Sequence, residues 1–191
     1  MIKAILLAAG QSKRLKSENK LSKIYKKKHL INHTLQTLHK SKVNKVIIVF
    51  GYQHKKIKKI IKKHKKNIFI FNKDYKKGMA SSIKTGLKKV SRTDKGFIVV
   101  QSDMPFIKKS DINKIYISIK FKKYLVYVLK YKNKIGNPIG FDISLIKKFK
   151  NIKGKFGAKF MVKRLKNRTK FINTSSLKSF KDFDKVSDFR N

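Results

Sequence analysis

Apolar residues fall along this chain in short runs separated by stretches of helical spacing. Ile2–Ala8 is one run of strand length, stopped at Ala9-Gly10. Val43–Phe50 is a second, stopped at Gly51, with Asn67–Phe71 a third and Phe97–Gln101 a fourth. Strands that are apolar throughout, without alternation, belong in a parallel sheet covered on both faces. Between them, Leu30–His39 carries Leu30, Ile31, Leu35 and Leu38 at helical spacing. Gln53–Lys66 places Ile57, Ile60 and Ile61 at i, i+3 and i+4 with lysines elsewhere, predicting an amphipathic helix. A third helix is expected over Ser81–Val90 behind Gly78, and Ser110-Asp111 predicts the cap and first residue of a fourth, Ile112–Lys120. Tyr124–Tyr131 is β-type and Gly136-Asn137-Pro138 interrupts the chain after it. Short helices are expected over Asp142–Phe149 and Gly157–Leu165, and a short strand over Lys170–Asn173; Phe180–Phe189 has no clear period. Phe69, Phe71 and Phe97 are expected in the core. The alternation is that of βαβ units, giving one α/β domain over residues 1–191 with a mostly parallel sheet.

The 191 residues are 40% hydrophobic, enough for a core at this length. With no cysteine, disulfide scaffolds, thiolate zinc sites and cysteine nucleophiles are excluded. Every apolar run is far shorter than the roughly 18 residues of a membrane helix. The apolar start at Met1–Ala9 is too short for a signal peptide and runs into Gly10-Gln11-Ser12-Lys13-Arg14 without a cleavage pattern, so a cytoplasmic protein with no membrane partner is expected.

Charge complicates this ordinary picture. Lys and Arg number 52 against 9 Asp and Glu, a net +43, which invites a polyanion partner. Arginine, however, stands only at 14, 92, 164, 168 and 190, so nearly all the excess is lysine, spread along the whole chain. Surfaces that clamp phosphates or read bases favour the bidentate fork of arginine. Alanine (5), proline (2) and glycine (9) are scarce while isoleucine (24), phenylalanine (14) and asparagine (12) abound, the signature of AT-rich codons. Lysine is therefore read as the default solvated residue, and nucleic acid is not expected as the functional partner. A lysine-rich nucleic-acid-binding protein, its basic face crossed by exposed aromatics, is the alternative of another class.

Against that background the glycines and the few acids carry the information. Ligands of open α/β sheets bind outside the carboxyl ends of the strands. After the first strand, Leu7-Ala8-Ala9-Gly10-Gln11-Ser12-Lys13-Arg14 is small enough for a ligand to approach backbone N–H groups, with Arg14 and Lys20 adding positive charge. A plain strand-to-helix turn is the other reading, and neither the P-loop nor the dinucleotide glycine pattern is present. Asp103 directly follows an apolar strand, where a carboxylate suits Mg²⁺ beside substrate phosphates, or simply caps the turn at Met104-Pro105. Asp182, Asp184 and Asp188 are three of nine acids within seven residues, either a source of a second metal ligand or charge at a helix start. Asn72 with Gly78-Met79-Ala80-Ser81-Ser82 offers hydroxyls and N–H donors for an anion or a nucleobase edge, or only a helix cap. The histidines, at 29, 33, 39, 54 and 64, form no metal-ligand set and read as surface or capping residues.

Taken in order, these pieces resemble the MobA-like nucleotidyltransferases, and within them the molybdenum cofactor cytidylyltransferases. The carrying residues are Leu7–Arg14 with Asn19-Lys20-Leu21, Asn72 with Gly78–Ile83 and Gly86, Ser102-Asp103-Met104-Pro105, Gly136-Asn137-Pro138, Gly154 with Gly157-Ala158, and Asp182-Phe183-Asp184 with Asp188. The Ala8-Ala9-Gly10 form is similar to the cytidylyl branch. Leu15-Lys16 and Lys185-Val186-Ser187 stand where that family has Met-Gly and Thr-Pro-Glu. The resemblance implies a Rossmann-like three-layer sandwich and Mg²⁺-dependent transfer of CMP, or another NMP, to a phosphorylated acceptor, with Mn²⁺ able to substitute. It implies CTP and a molybdopterin as substrates, pyrophosphate as product, and admits a molybdenum hydroxylase apoenzyme as protein partner. A sugar- or alcohol-phosphate acceptor is the alternative within the fold. It assigns nucleotide contacts to Leu7, Ala8, Ala9, Gly10, Ser12, Arg14, Lys20, Asn72, Gly78, Ser81, Ser82 and Asp103. Charge stabilisation falls to Arg14 and Lys20, and the metal to Asp103 and Asp184.

Overall fold

The computed structural model describes residues 1–12, 15, 18–152, 154 and 157–190. The first apolar run forms β1 (Ile2–Ala8). After a loop and a small antiparallel ribbon, β2 (Ile24–Tyr25) and β3 (Lys28–His29), come α1 (Leu30–Lys40) and β4 (Lys45–Phe50). The helix expected to reach Lys66 is shorter, α2 (His54–Lys59). Consecutive like charges over 62–66 oppose continuation, and Lys66 Nζ instead donates to the last carbonyls of α1, His39 O at 3.0 Å and Ser41 O at 2.7 Å.

β5 (Asn67–Phe71) is followed by α3 (Met79–Leu87), which starts two residues before the expected Ser81 because Gly78 turns the chain at φ 99°. β6 (Gly96–Gln101) leads to α4 (Lys109–Lys120), capped at Lys108 and not at Ser110. Asp111 is buried inside α4, accepting hydroxyl hydrogen bonds from Thr174 (2.9 Å) and Ser179 (3.0 Å).

β7 (Val126–Tyr131) is followed by a strand the sequence pattern hid, β8 (Lys134–Asp142), which runs straight through Gly136-Asn137-Pro138. Pairing jumps from Val128↔Ile139 to Leu129↔Gly136, so Asn137 and Pro138 stand in a bulge where a missing N–H costs no ladder bond. Asp142 ends β8 and caps a 3-10 turn ahead of α5 (Ile146–Phe149), with its Oδ1 accepting from Ser144 N. α6 (Ala158–Arg164) and β9 (Thr169–Asn173) close the regular structure.

The seven-stranded sheet runs β5-β4-β1-β6-β8-β7-β9. Every pairing is parallel except those of β8 with β6 and β7, giving the mostly parallel α/β sandwich expected. Alternate residues of β1 serve opposite layers. Ala4, Leu6 and Ala8 join the core under α1, α2 and α4, while Ile5 joins the core under α3, α5 and α6. Phe97 is fully buried, but Phe69 and Phe71 are 37% and 41% exposed on the edge strand, where α2 sets the polar side chains His54 and Lys58 over their rings. Among the described residues no helix is long and apolar enough to cross a membrane.

Candidate active site

From β1 the chain proceeds to β4 on one side, while β6 lies on the other, so the loops after β1 and β6 part at a topological switch point. Such a point opens a crevice. Here it is a cleft of about 750 Å³ floored by Leu7, Ala9 and Gly10 after β1 and by Gln101, Ser102 and Asp103 after β6. Gly51, after β4, closes its side by direct backbone contact. A side chain there would stand 2.6 Å from Tyr75 Cβ and 2.7 Å from Ala9 Cβ. At Gly10, by contrast, a Cβ would meet no atom of the described residues within 4 Å, and Gly10 itself lines the cleft.

Lys20 reaches this cleft because the preceding loop is closed on itself. Buried Asn19 accepts from Leu21 N at 3.1 Å and donates to Tyr52 O at 3.3 Å, and Ser12 Oγ accepts from Lys20 N at 3.1 Å. Asp103 is fixed from two sides. Ser102 Oγ donates to Leu7 O at 2.7 Å, tying the end of β6 to β1, and Thr34 of α1 donates to Ser102 O and Met104 O. The C-terminal segment returns through Phe183, whose N–H donates to Asp103 O at 3.0 Å and whose ring is buried against Tyr25, Phe106 and Phe189. With Phe183 turned into the core, Asp182 and Asp184 on either side line the cleft.

At the centre Lys20 Nζ lies 2.5 Å from Asp103 Oδ2 and 2.7 Å from Asp184 Oδ1. Asp103, Asp182 and Asp184 each offer an oxygen within 4.8 Å of the others, while Asp103 Oδ1 is buried with no hydrogen-bond partner among the described residues. Burial pushes the Asp103 carboxyl above its ordinary value against the pull of Lys20, and the charge of Asp182 adds to the rise. Burial alone would lower Lys20, but its attraction and hydrogen bonds to Asp103 and Asp184 hold its pKa above the usual value. The two shifts differ in origin: burial raises Asp103, whereas two carboxylates raise Lys20. An orphaned buried oxygen within a hard-oxygen triad fits a divalent cation such as Mg²⁺ or Mn²⁺.

The remaining expected residues divide. Ser12, Gly78 and Ser82 also line the cleft. Ala8 points into the core under α1. Asn72 and Ser81 stand behind the cleft wall. Asn72 Nδ2 donates to the hydroxyls of Ser81 (2.9 Å) and Ser82 (3.1 Å), fixing the start of α3. Arg14 lies outside the described residues. Asp188 accepts from the N–H groups of Asp184 and Lys185, each at 2.8 Å, and so shapes the turn that presents Asp184. Sequence reasoning passed over Gln101, Tyr75 and Lys76 as lining residues, and did not single out Asp182 as a ligand. The alternation Asp182-Phe183-Asp184 was the available signal, since a buried ring forces both neighbours outward.

The MobA-like NTP transferase domain matches residues 4–169. The chain belongs to that family. The match stops short of the Asp182–Asp184 pair. Among curated proteins the chain is similar to the bifunctional protein GlmU of Clostridioides difficile, 28% identical over 142 residues, 73% of this chain and 29% of that one. This chain therefore spans less than a third of that relative's length. Among solved structures, a nucleotidyl transferase from Methanothermobacter superposes with TM-score 0.84 at 16% identity, covering 99% of this chain and 94% of that chain. Rv0371c from Mycobacterium tuberculosis superposes with TM-score 0.83 at 19% identity, covering 99% and 95%. These two likenesses concern the fold.

Proposed function

We propose that residues 1–191 act as one domain that transfers a nucleoside monophosphate, with CTP as donor, to the phosphate of a molybdopterin-type acceptor, releasing pyrophosphate. The observation that carries this reading is the Lys20–Asp103–Asp184 cluster, with its orphaned Asp103 oxygen, facing the open space at Gly10. An acceptor phosphate oxygen attacks the α-phosphorus, the new P–O bond replaces the bond to the leaving pyrophosphate, and no side-chain nucleophile is needed. The protein's tasks are alignment and neutralisation of charge.

Each residue's part follows from its place. Backbone N–H groups around Gly10 and Ser12 receive the nucleotide, and Lys20 and Arg14 supply charge toward the triphosphate. Asp103 and Asp184, joined by Asp182, would hold Mg²⁺ or Mn²⁺. Such a cation, when bound, supplies positive charge against the phosphate oxygens of donor and leaving group. Rv0371c has been solved with manganese, which supports a divalent cation on this fold. The molybdopterin-guanine dinucleotide biosynthesis protein A of Archaeoglobus fulgidus shares the fold at TM-score 0.73, and the Ala8-Ala9-Gly10 form favours cytidine over guanosine.

Pyrophosphate release measured with each NTP, with and without molybdopterin, at about 5 mM Mg²⁺ tests the reading. CTP turnover dependent on molybdopterin is expected; turnover only with a sugar- or alcohol-phosphate would replace the acceptor. No turnover with any NTP would overturn the assignment.

A further inference from the structure

Lys20 occupies the same carboxylates a metal ion would need. Its ammonium sits between Asp103 Oδ2 and Asp184 Oδ1, two members of a triad whose ligand atoms all lie within 4.8 Å. Two positive centres held by the same small group of carboxylates repel at close range, so ammonium and divalent cation compete for one site. The way Lys20 is built in suits an exchange. Its backbone is pinned, with the N–H on Ser12 Oγ at 3.1 Å beside fully buried Asn19, while its head is carried on a flexible four-carbon stem. Gly10 and Ser12, on the same cleft, give that head a second destination wherever an anion is bound.

We infer that Lys20 is a displaceable stand-in for the divalent cation. In the nucleotide-free protein its ammonium neutralises the triad; when NTP phosphates occupy the Gly10 loop they draw the ammonium toward themselves and vacate the carboxylate oxygens. Metal and nucleotide thus bind with positive coupling, each raising the affinity for the other by the same factor. The inference rests on the triad being the metal site proposed above, and it adds that the idle enzyme resists the ion. An arginine would serve less well, since its rigid fork would stay bidentate on the carboxylates.

The test is Mn²⁺ titrated into nucleotide-free protein, with free ion read by electron paramagnetic resonance. Lys20→Met and Lys20→Gln should bind Mn²⁺ at least tenfold more tightly than the parent chain, and Asp103→Asn should lose the site. The glutamine variant keeps a hydrogen-bond donor for the carboxylates in case the methionine variant folds poorly. As a second readout, both lysine variants should gain more in melting temperature on adding Mn²⁺ than the parent does. Unchanged or weaker binding in both lysine variants, with binding still abolished by Asp103→Asn, overturns the exchange and leaves the metal site standing. Absence of saturable binding in the parent and in both lysine variants overturns the exchange and the metal site together.

Discussion

Near each end of β1 stands a lysine–aspartate pair, buried at the amino end and half-buried at the carboxyl end, and the two pairs are built differently. At the amino end Lys3 Nζ lies 2.8 Å from Asp94 Oδ2 and also donates to Lys89 O, while Asp94 further receives Ser91 N–H and the terminal ammonium. Every polar atom of that pair has its partner. At the carboxyl end Lys20 bridges two carboxylates and leaves Asp103 Oδ1 with none. The titration shifts diverge accordingly. Burial would raise Asp94, but the bonds from Lys3, Ser91 and residue 1 hold it below the ordinary carboxylate value, whereas Asp103 is left above it. The same residue types therefore tie the structure together at one end of a strand and, among the described residues, leave one carboxylate oxygen without a partner at the other.

The largest effect that would break this comparison is at Asp103. Asp103→Asn should lower kcat by about 10²–10³, the loss of roughly 3–4 kcal/mol of transition-state stabilisation. Its melting temperature should equal or exceed the parent's, because a carboxyl raised in the fold contributes stability only while protonated. That contribution fades as pH rises through the folded pKa. A large drop in melting temperature would place Asp103 among the structural acids. Asp94→Ala is the mirror experiment: about 3 kcal/mol of stability lost by orphaning Lys3, or roughly 6–12 °C in calorimetry at this size, with kcat unchanged. Because the Asp94 pKa is depressed, its stabilisation is present above the unfolded value. The gap between parent and Asp94→Ala should therefore close as pH falls below about 4; a gap constant to pH 2 would show that the carboxylate charge is not what matters.

Smaller effects sharpen the contrast. Ser102→Ala removes the 2.7 Å tie from β6 to Leu7 O. It should cost about 1 kcal/mol and lower kcat about tenfold through a misplaced Asp103, which paired unfolding and rate measurements would separate. Gly10→Ala has no protein atom in its way. It should leave the melting temperature within about 1 °C, a cost below roughly 0.5 kcal/mol, and raise KM for the nucleotide several-fold. An unchanged KM would move the nucleotide off that loop.

How far the sequence exposed all this depends on whether neighbours in sequence or neighbours in space decide. β1 and β5 have the bounds the apolar runs predict, and Asp103 follows β6 as its place after an apolar strand implied. β8 was hidden because its glycines look like turn residues, yet Gly140 serves packing. A side chain there would run into Ile115 and Ile119 of α4, a contact no local pattern announces. Phe69 and Phe71 were expected inside, since an unbroken apolar strand does not say whether it is central or at the edge. Their partial exposure follows from their place on the edge strand, where α2 meets them with His54 and Lys58. Of the site, the glycine loop and Asp103 were legible as strand-end residues. What was not legible was the distance-spanning part: Asn72 and Ser81 bonded to each other behind the wall, and Phe183 pinning the acids beside Asp103.

That last pin has a consequence for the order in which a protein comes into being. Lys20 and Asp184 are 164 residues apart, and the ring between the two late acids must be seated under Tyr25 before they face the cleft. A chain emerging from the ribosome amino end first holds its glycine loop and β6 long before those acids exist. No partly made or partly folded copy can complete the cluster. The proposed nucleotide chemistry thus waits until the residues from Lys20 to Asp184 are in place together.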